Sequence, residues 1–202
     1  MEKQARTDLG RIVAFTDGVM AVAITLLVLN IEVPDVGGAD LGQAMVDLLP
    51  SFGAYFLSFA LVGRFWIAHH AMFERLRAFD GPLMALNLVF LAAICLIPFS
   101  ANLFDRYDDE PIAAAVFGGI LGVASFVNWY MHIHTLRAGL VKEDHRGATA
   151  VFAGPLAFGF TALFLVSVPI AFVTPILAEA LWISTIVLRY PLRRVSVRKS
   201  SS

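Results

Sequence analysis

An aspartate lies inside an apolar run near the N-terminus, in the sequence AFTDGVMAVAITLLVLNIEVP from Ala14 to Pro34. A carboxylate near the middle of a bilayer costs on the order of 2.5 kcal/mol or more, so chance is a poor explanation for its presence. Ionisable groups at such depth mark ion pathways, proton relays or paired charges. Asp17 is therefore the first candidate for functional chemistry in this chain.

Six other polar residues fall at similar depth within apolar segments. They are Arg64, His69, His70, Asn87, Asn128 and His132. For the two asparagines and His132, taken singly, an interhelical hydrogen bond is the favoured interpretation. Asp17 and Arg64 each need a partner or water. The two could pair with each other or face a water-filled pathway, and the sequence leaves both alternatives open.

The composition predicts an all-α membrane protein. Of the 202 residues, 58% are hydrophobic and 15% are charged, with a mean hydropathy of +0.76. Soluble domains carry about 25% charged residues. The net charge of −1, with no basic groove of interleaved aromatics, gives no sign of nucleic-acid binding. The one cysteine, Cys95, excludes paired-cysteine redox chemistry within a chain.

Hydropathy and helix-breaking residues predict six transmembrane helices in a single domain, residues 1–202. Their approximate bounds are 12–31, 48–71, 82–103, 111–136, 150–172 and 175–190. Of the 15 Lys and Arg residues, 13 fall on one side of this arrangement, while Arg106 falls on the other and Arg64 within a span. The positive-inside rule then predicts that both termini are cytoplasmic, which requires an even number of spans.

A stripe of residues follows one side of the first predicted helix. Its members are Gly18, Val22, Thr25, Leu29 and Glu32, at spacings of 4, 3, 4 and 3 residues. Small residues on such a stripe let helices pack closely, which is one interpretation. The other is that Val22, Thr25 and Leu29 line a pore built from several copies of this helix. The spacing alone does not choose between them.

The same segment resembles the first span of the bacterial branch of the transmembrane protein 175 family, which are potassium-permeable channels. The motif Arg-x-x-x-Phe-Thr-Asp occupies residues 11–17 and is followed by AITLLVL. Further resemblance comes from Phe-Trp-x-x-His-His-x-x-Phe at 65–73, from Asn87-Leu88, and from Pro-Phe-Ser at 98–100. The resemblance covers the first half of the chain and agrees with the six-span plan.

This resemblance implies a homotetramer in the plasma membrane, with a central pore lined by the first span. Aligned on the aspartate, the constricting positions fall on Val22, Thr25 and Leu29, with Leu26 at the collar's edge. Apolar collars block ions by dewetting when narrow and pass them when slightly widened. Potassium is implied as the permeant ion, held transiently near Thr25, with no resident metal or cofactor. The family uses no carbonyl filter, and no TVGYG-like stretch occurs here.

The resemblance also gives the polar motif of the first span a structural role. Asp17 is implied to orient the pore helix rather than to coordinate an ion. The residues of this motif and its candidate partners on other spans are Arg11, Phe15, Thr16, Asp17, Trp66, His70 and Asn87. Thr16 replaces the serine usual in the family. Val22 is smaller than the usual isoleucine or leucine, which implies a wider first collar and weak to moderate selectivity.

Acidic residues follow the first span at the predicted outer mouth. Glu32, Asp35 and Asp40 would raise the local concentration of cations there. Permeation of other monovalent cations besides potassium is therefore also expected.

Two rival functions remain to be weighed against a channel. An enzyme is disfavoured, because neither His69-His70 nor His132-x-His134 has the spacing that places two metal ligands on one helical face. A proton leak or a proton-coupled transporter is the stronger rival, since Asp17, Arg64 and the intramembrane histidines could form a relay. Saturable, substrate-coupled flux would favour the transporter, and single-channel steps would favour the channel.

Overall fold

The computed structural model describes residues 2–187, with side chains from Leu9 onward. The chain folds into eight α-helices and two short 3₁₀ segments within this range. They are α1 (Glu2–Leu26), a 3₁₀ turn (Leu27–Asn30), α2 (Leu41–Asp47), α3 (Leu49–Glu74), α4 (Gly81–Arg106), α5 (Pro111–Arg137), a 3₁₀ turn (Glu143–His145), α6 (Arg146–Ala153), α7 (Pro155–Ala171) and α8 (Pro175–Val187).

Five stretches among the described residues are long and apolar enough to cross a membrane. They are Leu9–Asn30, Leu49–Glu74, Gly81–Arg106, Pro111–Arg137 and Glu143–Ala171. The sixth predicted span corresponds to α8, a shorter apolar helix of 13 residues. Positions 188–190 of that predicted span, and the basic C-terminal segment, lie outside the described residues. The all-helical membrane architecture is thus confirmed.

Two predicted spans depart from a continuous α-helix. The first changes from α to 3₁₀ geometry at Leu27, so the regular helical spacing predicted through Ile31 stops earlier. The fifth is divided at Gly154, whose extended backbone (φ −78°, ψ 173°) separates α6 from α7. Pro155 follows at the first position of α7, where its missing N–H costs no helical hydrogen bond.

The core of the described fold lies where α4, α5, α7 and α8 meet. Its largest fully buried side chains include Phe90, Phe117, Phe164 and Trp182. The Trp182 indole donates a hydrogen bond to Ser167 Oγ at 2.8 Å. Gly118 permits this arrangement, because a Cβ there would lie 2.5 Å from Ser167 Oγ. A side chain at position 118 would therefore displace the Ser167 hydroxyl from its bond with Trp182.

The helix α1 packs on this core through one side only. Its buried residues recur every three or four positions, as a helix with one packed face requires. They are Ile12, Thr16, Met20 and Ala23, and Leu27 continues the pattern in the 3₁₀ turn that follows. These side chains face α3 and α4, which are the helices that contact α1. The opposite side of α1 is left uncovered by the described residues of the chain.

The loop between α3 and α4 pairs with the loop after α5. The Arg77 amide donates to the Leu140 carbonyl at 2.9 Å, and the Lys142 amide donates to the Arg75 carbonyl at 2.9 Å. Gly139 has a φ of 66°, a conformation that glycine adopts at little steric cost, and it turns the chain back towards this pairing. The two short segments thereby hold the ends of α3 and α5 together.

Asp80 caps α4 and joins it to α5. Its Oδ1 accepts from the Leu83 amide at 2.9 Å, and His134 Nε2 lies 2.9 Å from Oδ2. Burial acts to raise the pKa of Asp80, but the bonds from the Leu83 amide and from His134 outweigh it, so the pKa lies below its usual range. The ionised carboxylate therefore stabilises the fold.

We expect Asp80→Ala to lower the free energy of unfolding by about 1 kcal/mol at pH 7, the usual value of an N-cap. Asp80→Asn should lower it less, because the amide oxygen still caps α4. Since the folded-state pKa is depressed, the carboxylate's contribution is present above about pH 4 and is lost as the pH falls through the folded value. Thermal unfolding in detergent from pH 7 to pH 3 measures this. A difference between wild type and Asp80→Asn that does not shrink on acidification would contradict the assignment.

Candidate functional site

The uncovered side of α1 carries the predicted stripe. Leu29 is 71% exposed and Val22 is 58% exposed, while Leu26 at the collar's edge is 43% exposed. Gly18, Thr25 and Glu32 are also exposed. The buried residues of α1 lie on the other side of the helix, against α3 and α4. One chain therefore presents a continuous face of mostly apolar side chains with a single hydroxyl midway.

The hydroxyl of Thr25 is held by its own helix. Thr25 Oγ1 donates to the Val22 carbonyl oxygen at 2.8 Å. A hydroxyl has one donor and two acceptor lone pairs, so this bond consumes the proton and leaves the oxygen free to accept. An oxygen with lone pairs available is the group that a partly dehydrated cation can contact.

Leu29 lies on the 3₁₀ turn and not on the α-helix that the sequence predicted there. The turn closes with a bond from the Ile31 amide to the Val28 carbonyl at 3.1 Å. Leu27, in the same turn, is buried. Leu29 nevertheless faces outward, and it is more exposed than Val22 or Leu26.

Thr16 and Asn87 belong to a chain of buried hydrogen bonds that joins three helices. Asn87 Nδ2 on α4 donates to Thr16 Oγ1 on α1 at 2.9 Å. Asn87 Oδ1 lies 2.7 Å from His69 Nε2 on α3. The His69 ring is also stacked between Phe73 and Phe90, with centroids at 4.4 and 5.2 Å. Each member is buried, so each bond satisfies a group that water does not reach.

Asp17 contacts a different pair of residues on α3. Trp66 Nε1 donates to Asp17 Oδ1 at 2.8 Å. His70 Nδ1 lies 4.0 Å from Asp17 Oδ2, and His70 Nε2 lies 3.5 Å from Glu74 Oε1. The Trp66 and His70 rings are stacked at 5.3 Å. Of the three partners predicted for Asp17, two are therefore adjacent to it, whereas Asn87 bonds the neighbouring Thr16 instead.

Arg64 lies on the other side of α3 from the Asp17 cluster. Residues two apart on a helix point about 200° apart, so Arg64 and Trp66 face opposite ways. The Arg64 guanidinium lies over the Phe160 ring of α7, 5.1 Å from its centroid. Arg64 lines a cavity between α3, α5 and α7, and Asn128 and His132 line the same cavity. The polar residues predicted to share one layer thus form two separate groups, and Arg64 is not placed against Asp17.

The two remaining residues of the motif lie at the surface. Arg11 is exposed and Phe15 is 54% exposed. Together with Phe79 and Met84 they line a shallow groove between α1 and α4. No contact among the described residues of this groove accounts for an arginine at position 11 and an aromatic ring at position 15.

The segment that follows α1 has two contacts with α4 that the sequence did not predict. Asn30 Nδ2 donates to the Pro98 carbonyl oxygen at 3.0 Å. Glu32 forms an ion pair with Arg106. Glu32 was predicted to attract cations at the outer mouth, and this pairing offsets part of its charge. Asp35 and Asp40 are exposed, so their charges face solvent.

Among residues 2–187, no group of three or more His, Cys, Asp or Glu side chains could hold a metal ion. His69 and His134 bond to Asn87 and Asp80, His70 and His132 lie against aromatic rings, and His145 pairs with Asp144. The uncovered face of α1 and the two hydrogen-bonded clusters beside it are therefore the candidate site.

Comparison with known proteins places this arrangement in a family. Residues 11–98 match the family described as endosomal/lysosomal potassium channel TMEM175. A Streptomyces collinus protein named as a potassium channel is 33% identical over 171 residues, which are 82% of this chain and 83% of that protein. A Bos taurus protein named endosomal/lysosomal proton channel TMEM175 is 36% identical over 110 residues, which are 50% of this chain and 23% of that protein.

The fold is also similar to a solved structure. The crystal structure of a lysosomal potassium-selective channel TMEM175 homologue from Chamaesiphon minutus superposes with a TM-score of 0.81 at 29% identity. The superposition covers 93% of this chain and 98% of that one. From the motif, the fold and these relatives together, we conclude that the chain belongs to the TMEM175 family of potassium channels.

Proposed function

We propose that this chain is a potassium-permeable cation channel whose pore is lined by α1. The observation that carries the proposal is the uncovered face of α1 and of the 3₁₀ turn that continues it. Val22, Thr25 and Leu29 are exposed on this face, while the opposite face is buried. A helix in a folded membrane protein with one such face either meets lipid, meets another chain or faces water. The Thr25 oxygen, free to accept, favours water over lipid on this face.

In the proposed assembly, four copies of the chain surround a central axis in the plasma membrane, with both termini in the cytoplasm. The whole chain then forms a single channel domain of six spans, the sixth beginning with α8. Support comes from the strong asymmetry of Lys and Arg along the sequence. The even number of spans that this asymmetry requires is met if α8 crosses the membrane beside the five longer stretches.

The proposed pore selects weakly to moderately among monovalent cations. Apolar collars at Val22 and Leu29, with Leu26 at the edge, gate the pore by dewetting. Between them, four Thr25 oxygens replace part of the hydration shell of a potassium ion in transit. Removing this shell costs less for potassium than for the more tightly hydrated sodium. No resident cofactor takes part.

Flux from liposomes tests the proposal. The purified protein is reconstituted into liposomes, and the fluxes of potassium, sodium and protons, each down its own gradient, are compared. Single-channel currents are recorded in planar bilayers alongside. We expect single-channel steps and a reversal potential that favours potassium. Saturable flux without unitary steps would instead support a transporter and contradict the pore.

For Asp17 we propose a positioning role, because Trp66 anchors its carboxylate to α3. We expect Asp17→Asn to lower the stability of the tetramer by about 1–2 kcal/mol, since a hydrogen bond to a charged group contributes roughly 1.5–3 kcal/mol and a neutral acceptor retains part of it. The fraction of tetramer after mild heating, measured by size-exclusion chromatography, reports this. Glu179→Gln on α8, which removes a carboxylate distant in sequence from the motif, serves as a control.

A proton pathway is the second candidate function. The titratable groups of Asp17, His70 and Glu74 follow one another at 4.0 and 3.5 Å along α1 and α3, and the animal relatives carry the name of proton channels. If Asp17→Asn leaves an intact tetramer whose flux responds differently to pH, a relay is favoured over a positioning role. Dissipation of a pH gradient in potassium-free liposomes measures that flux directly.

A further inference from the structure

The proposed pore helix loses its α-helical geometry at its outer end. The α-helix ends at Leu26, the 3₁₀ turn ends at Asn30, and no helix or strand follows until α2 begins at Leu41. A 3₁₀ turn has poorer hydrogen-bond geometry than an α-helix, so it deforms more readily. Leu29, which is more exposed than Val22 or Leu26, lies on this turn. The distance of Leu29 from the pore axis therefore depends on the contacts that hold this turn against the other helices.

Two contacts fix the turn. The Leu27 side chain is fully buried against the core, and Asn30 Nδ2 donates to the Pro98 carbonyl on α4 at 3.0 Å. Pro98 lies inside α4, and its carbonyl oxygen is the acceptor that α4 offers to this turn. The bond is partly buried, unlike the neighbouring Glu32–Arg106 pair, which is exposed and so contributes little.

We infer that Asn30 is a positioning residue that sets the radial position of the Leu29 collar by tethering the last turn of the pore helix to Pro98 of α4. The inference rests on the proposed function, because Leu29 acts as a collar only if α1 lines the pore. Asn30 flanks Leu29 and bonds away from the exposed face, so it acts through Leu29 and not by contact with the ion. Loss of the bond lets the turn move and changes the width of the collar.

The test is a double-mutant cycle on single-channel conductance in planar bilayers. Asn30→Leu removes the donor at similar volume, Leu29→Ala removes the collar, and the double variant combines them. We expect Asn30→Leu to change the conductance about twofold or more in the wild-type background, and to have no further effect once Leu29 is alanine, as coupled neighbours do. Gln43→Leu is the matched control, because it removes another amide on the same side of the membrane whose bond is local to α2.

Each outcome decides the matter. Two results would overturn the inference and leave the pore intact. One is an Asn30→Leu effect on conductance that persists unchanged in the Leu29→Ala background. The other is wild-type conductance in Asn30→Leu when the conductance of Leu29→Ala is altered. Wild-type conductance in Leu29→Ala itself would overturn the pore and the inference together. If Asn30→Leu does not assemble, Asn30→Asp, which keeps the size but lacks the donor, takes its place in the cycle. Failure of both to assemble would make Asn30 a folding determinant and overturn its positioning role.

Discussion

Replacing Thr25 with valine is expected to lower the potassium-to-sodium permeability ratio about 2- to 10-fold. Valine has nearly the same shape but no oxygen, so the narrow part of the proposed pore would lose its only ring of acceptors. A polar contact of this kind contributes roughly 0.5–1.5 kcal/mol, which converts to the stated range. Reversal potentials under bi-ionic potassium and sodium conditions measure the ratio.

Two further variants separate the hydroxyl from the shape of the side chain. Thr25→Ser keeps the oxygen and its bond to the Val22 carbonyl, and should retain most of the selectivity. Thr25→Ala removes the oxygen and widens the pore, so it should lower the ratio and raise the conductance. Unchanged reversal potentials in both Thr25→Val and Thr25→Ala would remove α1 from the selectivity mechanism.

The second large effect is expected from Asn87→Leu, which should lower the free energy of unfolding by about 2–4 kcal/mol. The substitution strands the Thr16 hydroxyl and the His69 ring, both buried. An unsatisfied buried polar group costs about 1–3 kcal/mol, which for two partners would give up to about 6. Interhelical hydrogen bonds in membranes average only about 0.6 kcal/mol, which limits the total. Unfolding in mixed micelles, followed by circular dichroism, measures the loss.

Asn128→Leu provides a matched control for this substitution. Asn128 is also an asparagine within a predicted span, but its side-chain oxygen is buried without a hydrogen-bond partner among the described residues. Replacing it should therefore cost far less than replacing Asn87. Equal losses for the two variants would show that the chain of hydrogen bonds through Thr16, Asn87 and His69 does not hold α1 to its neighbours.

From the sequence alone, the all-helical membrane class and the exposed stripe on the first helix could be predicted. Each of these depends on a property of one segment, either its hydropathy or its helical period. The Val22–Thr25–Leu29 stripe could be predicted because a helix fixes which of its own residues share a side. The change to 3₁₀ geometry at Leu27 could not, since no proline or glycine marks that position and the turn depends on contacts with α3 and α4.

Which polar residues meet depends on how the helices pack against one another in three dimensions. Depth in the membrane suggested a single layer that included Asp17, Asn87 and Arg64, but depth says nothing about the direction in which a side chain points. The rotation of α3 turns Trp66 towards Asp17 and sends Arg64 to α7, while the position of α4 brings Asn87 to Thr16. Partners across helices are set by how whole helices rotate and slide against each other. That arrangement is fixed by the packing of many apolar side chains at once, so the residues of one helix do not reveal it.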